Sequence, residues 1–373
     1  MSFGTVQAEK MTTESGYSLG AGNASSFKNR LINPSFLINQ RNGTNAVTTS
    51  ALQSSTYFSD RWYYYVDQTS KMSLTQSTDA PAGFTSSTLV TVLATDSTGP
   101  EQMVRQKIEG YNMADLGWGA SGAKPVVLSF WVKSSLTGQF GGSLQTDTGS
   151  IWSYPFSYTV NAANTWEQKI VYVTGPTSGT FGTTNNTGAI VSFEFGPGYQ
   201  AASPNAWLNS NSTTATGSQN LCATLGATIK LTGVQFEVGT VATSFDFRSY
   251  GTELQLCQRY FQVLMSGQYN DAYMATNRSS SGTTVSCPIR FVQTMRSAPT
   301  VPAPTVTDLR ANGRYGDTGF TGGTTAINDI NVRSCLLGIN SPTASGYTFN
   351  LGESLYINSQ TATSNIMTAS AEL

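Results

Sequence analysis

Between about residue 29 and residue 250, apolar and polar side chains alternate one for one in short segments. That period belongs to β-strands, whose successive side chains point to opposite faces. In Val126 to Lys133, Val126, Leu128, Phe130 and Val132 share one face; Val127, Ser129, Trp131 and Lys133 share the other. Gln168 to Val173 sets Ile170 and Tyr172 opposite Val171 and Val173. Ala189 to Phe195 groups Val191, Phe193 and Phe195, with Ser192 and Glu194 expected outward. Ile229 to Val238 does the same with Val234, Phe236 and Val238, and Leu89 to Ala94 is a further strand. Turn signals stand between them, among them Asn42-Gly43, Thr98-Gly99-Pro100, Gly175-Pro176 and Gly196-Pro197-Gly198. Many short strands divided by turns predict an all-β chain that opens with a jelly-roll sandwich. No repeat of about 20 to 50 residues is visible, which argues against a β-helix or a propeller.

The predicted organisation has four parts. Residues 1–28 are polar and rich in Gly and Ser, with Phe3, Val6 and Tyr17 as isolated apolar anchors. They read either as a loose tail or as an arm that orders only when docked on a partner. Residues 29–250 form the jelly roll, and 251–262 a linking helix. In that helix Leu254, Cys257 and Phe261 share a face, Thr252 is the cap, and Glu253 suits the positive N-terminal end. Residues 263–373 form a smaller C-terminal β-sandwich domain. Its expected strands are Tyr260 to Met265, Thr284 to Phe291, Ile327 to Leu337 and Tyr347 to Ile357. The proline-rich run Ala298 to Pro304 is restricted to an edge or a connection.

Composition narrows the chemistry. Charged residues are 11 % and the net charge is −1, with no Lys/Arg block, so no footprint for nucleic acid is present. No apolar run is long enough to cross a bilayer. Met1 to Gly22 lacks an apolar signal core, so the expectation is a chain made and kept in a cytosol until something other than secretion, such as cell lysis, releases it. There is no histidine, which removes Ser–His–Asp and Cys–His catalysis. Cys222, Cys257, Cys287 and Cys335 lie far apart without a CxxC pair and are expected as small buried hydrophobes.

Sugar recognition needs flat aromatic faces beside short polar side chains. Trp118, Tyr199 and Trp207 lie in the long polar loops 111–122 and 196–220, and together with Trp152 and Tyr154 of the run Trp152-Ser153-Tyr154 they are the candidate glycan-binding residues. Core or subunit packing is the competing role for them. Trp62, Trp131 and Trp166 fall inside strand patterns and are expected in the core. Tyr64 is expected to face outward. Glycoside hydrolysis needs a matched carboxylate pair. Glu101, Glu109, Asp115, Asp147 and Glu194 show no recognisable spacing, so each is expected to be solvated and no catalytic residue is assigned.

Several segments in order carry a resemblance. They are Asn29-Arg30-Leu31-Ile32-Asn33-Pro34-Ser35-Phe36, Ser59-Asp60-Arg61-Trp62, Val127 to Ser135, Thr159 to Glu167, Leu231 to Gly239 running on to Phe261, and Cys287 to Phe291 with Met295 to Val301. Together they resemble a family of bacteriophage tail-fibre and other virion appendage proteins. That resemblance implies a jelly roll similar to carbohydrate-binding modules, followed by a small β domain, in a virion part that is often a homotrimer. Related modules hold a structural calcium through a carboxylate near the first strand. Here Leu37 follows Phe36, so no metal and no cofactor are carried over, and Glu237 is expected as a solvated strand-end carboxylate. The functional expectation is a non-enzymatic virion protein, assembled in the host cytoplasm, whose arm attaches to the particle and whose body contacts host surface glycan. The alternatives are a non-adhesive collar, head-fibre or decoration protein, and a polysaccharide depolymerase.

Overall fold

The computed structural model describes residues 10–12, 18–20 and 27–373, apart from 51, 53–54, 148, 199, 267–272, 278–283, 314–315, 346–348, 350–353 and 360–365. Phe3, Val6 and Tyr17 lie outside the described residues, so the docking role stays an expectation. The chain forms two compact units, 1–253 with Leu373 and 254–372.

The described strands of the first unit are β1 (Lys10–Thr12), β2 (Ser18–Gly20), β3 (Val47–Thr48), β4 (Thr56–Ser59), β5 (Trp62–Val66), β6 (Met72–Ser77), β7 (Ser87–Val92) and β8 (Gln102–Glu109). They continue with β9 (Val126–Ser134), β10 (Gly138–Gln145), β11 (Ser153–Val160), β12 (Glu167–Val173), β13 (Thr187–Glu194), β14 (Ala201–Ala202), β15 (Thr214–Ala215) and β16 (Thr228–Val238). Two six-stranded antiparallel sheets make a sandwich of jelly-roll type. One runs β11-β10-β13-β8-β5-β4 and the other β12-β9-β16-β7-β6-β3. The strands announced by alternation are all present. Phe130, Val132, Phe140, Leu144, Phe156, Val191, Phe193 and Phe236 interdigitate between the sheets as one core.

The N-terminal segment is pinned onto β16 at a bulge between Thr232 and Gln235. Val234 donates its N–H to Pro34 O at 3.0 Å and Arg30 N–H reaches Phe236 O at 2.9 Å. The Asn29 amide bridges Val234 O and Phe236 N–H at 2.9 and 3.0 Å. Asn33 is a second knot. Its Nδ2 donates to Ile38 O and Asp60 O, its carbonyl accepts the Trp62 indole N–H at 2.8 Å, and its own N–H reaches Glu253 at 2.6 Å.

Three of the segments that carried the resemblance, 29–36, 59–62 and the stretch from Leu231 to Glu253, therefore meet in one buried junction, and their role there is to hold the fold. Glu237 belongs to it and is fully buried, not solvated. Its oxygens accept from Gln235 Nε2, Thr243 N–H and Thr243 Oγ1 at 2.9, 2.8 and 2.6 Å, which ties the 239–246 loop to β16.

Helix α1 (Tyr250–Gln258) begins one residue before the expected start and ends four before the expected end, and the boundary between units falls inside it. The cap is Ser249 rather than Thr252: the Thr252 N–H points to Ser249 Oγ at 3.4 Å. Glu253 and Cys257, one turn apart, are buried.

The second unit holds β17 (Phe261–Met265), β18 (Tyr273–Asn277), β19 (Thr284–Arg290), β20 (Leu309–Gly313), β21 (Gly316–Asn328), β22 (Ser334–Ala344), β23 (Ser354–Ser359) and β24 (Met367–Ser370). Six of these close into a barrel in the order β18-β19-β22-β21-β20-β23, and β17 pairs with β24. The all-β expectation holds, but this unit closes on itself where two stacked open sheets were expected. The predicted strand from Ile327 to Leu337 is two strands joined by a turn, with Asp329 at φ +50°. All four cysteines are buried, and none forms a disulfide among the described residues. No helix is long and apolar enough to cross a membrane.

Candidate functional site

The loop aromatics predicted to bind sugar mostly seal the sandwich. Trp118 packs edge-on against Phe181, Trp207 and Phe236 at 5.3 to 6.0 Å, and its indole N–H is taken by Lys124 O. Tyr154 lies 5.4 Å from Trp207 and is buried, with its hydroxyl on Tyr172 O. Neither ring offers a face to a ligand, so both are corrected to core residues. Trp207 is half-buried, and its indole N–H is held by Thr174 O at 2.7 Å. Trp152 is half-buried beneath Gly179, where a Cβ would stand 2.9 Å from the indole. Tyr199 lies outside the described residues.

Three strand residues also differ from expectation. Trp62 is in the core, but Trp131 and Trp166 lie half-buried, Trp131 on the outer side of the second sheet. Tyr64 points into the core, and Tyr63 and Tyr65 take the outer face in its place.

That outer face, on the first sheet, gathers the densest polar chemistry among the described residues. Strand register lays it out in rows. Tyr65, Met103, Glu194, Gly141 and Ser157 form one; Tyr63, Arg105, Ser192, Ser143 and Pro155 the next; Lys107, Ile190, Gln145 and Ser153 a third. Tyr57 on β4 sits 5.4 Å from the Tyr63 ring, with the Arg41 guanidinium over the Tyr57 ring at 4.8 Å. Arg105 is the centre. Its Nε donates to Ser192 Oγ at 2.8 Å, its Nη2 to Gln145 Oε1, and its guanidinium lies over Tyr65 at 5.1 Å. At the edge, Lys107 pairs with Asp147 at 2.8 Å. Burial raises the Tyr63 and Tyr65 hydroxyls above the usual tyrosine range, so both are neutral hydrogen-bonding groups at physiological pH.

Ser192 and Glu194 were expected in solvent because they alternate with core residues. They are buried because the 196–220 loop folds back across this face. Gln145 Nε2 donates to Asn211 Oδ1 and Ser212 O, Ser153 Oγ to Ser210 O, and Gln139 Nε2 to Thr216 O. Gly141 permits the approach, since a Cβ there would stand 2.3 Å from Thr214 Oγ1.

The carboxylates at one end of the face are also buried, against expectation. Glu194 is 1 % exposed, and one oxygen accepts the N–H groups of Gln102, Phe195 and Gly196 at 2.7, 3.1 and 3.0 Å. Burial pushes its carboxyl well above the ordinary glutamate range, with the Glu101 charge adding to this. Glu101 is itself raised by burial and then by Asp67.

A carboxyl raised on folding holds its proton more tightly in the folded chain. Its contribution is complete below the unfolded value of 4.5 and is lost as pH rises through the folded value. Glu194→Gln should therefore flatten the fall in melting temperature from pH 4.5 towards neutrality. Parallel curves for the two proteins would refute this.

A second feature lies at the end of the second sheet. Phe84, Phe245 and Phe247 meet at 4.8 to 5.4 Å, and Phe247 is 64 % exposed. They line a cavity of about 180 Å³ with Pro34, Leu37 and Arg248. The described residues contain no group of three or more Cys, Asp or Glu side chains suited to a metal ion.

No protein-family profile and no curated protein matches the sequence. Solved structures do. The enzymatically active domain of tailspike protein 4 from bacteriophage CBA120 aligns over 58 % of this chain at 15 % identity and TM-score 0.33. This chain spans only 22 % of that protein's length. A family 11 carbohydrate-binding module from Clostridium thermocellum, in complex with a mixed-linked tetrasaccharide, aligns over 53 % of this chain and 98 % of its own, at 11 % identity and TM-score 0.26. The CBM22-1 xylan-binding domain from Paenibacillus barcinonensis Xyn10C covers 54 % and 99 %, at 10 % identity and TM-score 0.26. Likenesses at these scores decide neither ligand nor role.

Proposed function

We propose that this chain is a non-catalytic, glycan-contacting part of a bacteriophage tail fibre or related virion appendage. The observation that carries the reading is the outer face of the first sheet. There, tyrosine rings, a guanidinium, an amide and hydroxyls stand in adjacent rows on a rigid scaffold. Saccharides are held by this combination, rings against C–H faces and planar polar groups against hydroxyls. The virion role is supported by the ordered sequence segments of the appendage family. In this reading residues 1–28 dock to the particle, three copies assemble, and many weak sites on one virion gain avidity through effective concentration. The exposed Phe84–Phe245–Phe247 cluster is a suitable subunit contact. That cluster also favours the second reading, a non-adhesive collar, head-fibre or decoration protein, because it suits protein contact without any glycan.

A non-catalytic role is supported by the missing histidine and by Glu194, whose burial and backbone bonds give it a structural task. The test is binding to arrayed bacterial surface polysaccharides, with Tyr65→Ala as the variant. Tyr65 lies over the site's rim, so binding should weaken about tenfold, with an unchanged melting temperature. Wild-type protein that binds no polysaccharide would leave the non-adhesive reading in place. Release of reducing ends from any of them would establish a depolymerase instead.

A further inference from the structure

We infer that the glycan held at this face is anionic and that Arg105 is its counter-ion. The inference rests on the glycan-binding reading above and names its substrate class. Arg105 is 8 % exposed. Its hydrogen bonds go to the neutral side chains of Ser192 and Gln145, and its guanidinium lies over a neutral phenol ring. Among the described residues no carboxylate comes within 4 Å of it.

The other guanidiniums with resolved ion pairs are placed differently. Arg248, equally buried, is paired with Glu253 at 3.2 Å; Arg30 meets Asp115 and Arg310 meets Asp317, each at 2.8 Å. Another cation on this face, Lys107, has Asp147. A guanidinium keeps its charge in proteins, and an almost buried charge without a partner is costly. The cost is met when an anion completes the site.

The neighbouring carboxyls do not fill that role. Glu101 is on the same side of the chain as Arg105, but burial and the Asp67 charge raise its carboxyl, and its attraction to Arg105 offsets only part of this. One Glu101 oxygen is buried without a hydrogen-bond partner among the described residues, so it is not turned onto the guanidinium. Glu194 is raised further and is bound to backbone. Arg105 has five N–H groups, two of them committed, and the rest form a fork that matches a carboxylate or phosphate. Ser143 Oγ, next in the same row and fully buried, has no partner among the described residues and offers a further donor. The shared chemistry is therefore an anionic group on a sugar ring: the carboxylate of a uronic acid or the phosphate of a phosphorylated hexose.

Isothermal titration of the full chain against matched probes tests this. The probes are tetragalacturonate, the same oligosaccharide with its carboxyls reduced to alcohols, and a mannose-6-phosphate-terminated oligomannoside beside its dephosphorylated form. One anionic probe should bind at least about tenfold tighter than its neutral partner, and which one does so separates carboxylate from phosphate. Raising salt from about 50 to 500 mM should erode that advantage. Arg105→Gln should abolish it, while Arg105→Lys keeps part, because an ammonium supplies charge without the fork. Equal or tighter binding of the neutral partners overturns the inference and leaves the glycan-binding reading standing. Failure of every probe, together with failure of the polysaccharide array, overturns both; failure of every probe while the array shows only neutral polysaccharides bound overturns the inference alone. Should Arg105→Gln fold poorly, the ratio between matched probes and its salt dependence in the unaltered protein decide.

Discussion

Truncating Trp62 to alanine is expected to destabilise the first unit by about 3–5 kcal/mol, the range for deleting a large buried aromatic. Trp62 is fully buried, and its ring lies 4.7 Å from Phe36. Two losses add. The indole leaves a void between the sheets that Phe36 cannot fill, because its own position is fixed by the turn at 33–36. The Asn33 carbonyl also loses its 2.8 Å donor inside the protein, where no water replaces it. Trp62→Phe separates the terms, since it keeps most of the volume and drops the N–H. It should cost less than half as much. Denaturant unfolding followed by the remaining tryptophans checks this, because all six lie in the first unit. A cost below about 1 kcal/mol for the alanine variant would mean that the junction is not the keystone described above.

Arg248→Ala should cost a comparable about 3–5 kcal/mol, for an electrostatic reason. The guanidinium donates to Asn29 O at 2.7 Å and to Leu31 O at 2.9 Å, and it pairs with Glu253. Removing it leaves two carbonyls and a buried carboxylate uncompensated. Glu253 is already raised above the ordinary range by burial, even with Arg248 beside it, so the variant pushes it higher. The penalty should therefore shrink as pH is lowered through the unfolded value of 4.5, below which the carboxyl is protonated in both states. Adding Glu253→Gln to Arg248→Ala should recover part of the loss at neutral pH. A double variant no more stable than Arg248→Ala would show that the backbone carbonyls, not the carboxylate, dominate.

The positions of the strands were legible because alternation is a local property. Val126 to Lys133 needs only its own residues to announce a strand, and Val191, Phe193 and Phe195 need only theirs to announce a core face. The opposite face was not legible. Ser192 and Glu194 are buried by a loop that starts beyond β13, and the covering contacts pair Gln145 with Asn211 and Ser212 across a long stretch of sequence. Tyr63-Tyr64-Tyr65 shows the limit at its sharpest. Three identical side chains alternate faces, and only the pairing of Tyr63 with Arg105 settles which face is the core.

The candidate site was missed for a related reason. Tryptophans in polar loops drew attention because they suit sugars, yet Trp118 and Tyr154 suit the open end of a sandwich equally well and were spent there. Arg105 left a weak signal. A lone arginine between Val104 and Gln106 in an alternating run says that one face of that strand is polar, and charged residues are scarce enough here for this to have been noticed.

By itself, the sequence determined that this chain builds β-sheets, where the strands with clear alternation lie, and that imidazole chemistry is absent, since each of these depends on neighbours along the chain or on residue type alone. The tertiary structure decided which residues share a surface, which carboxyls burial raises above the ordinary range, and that the second unit closes into a barrel. Those outcomes depend on desolvation and on hydrogen bonds between residues far apart in sequence, and a side chain's burial exists only once its distant neighbours have arrived.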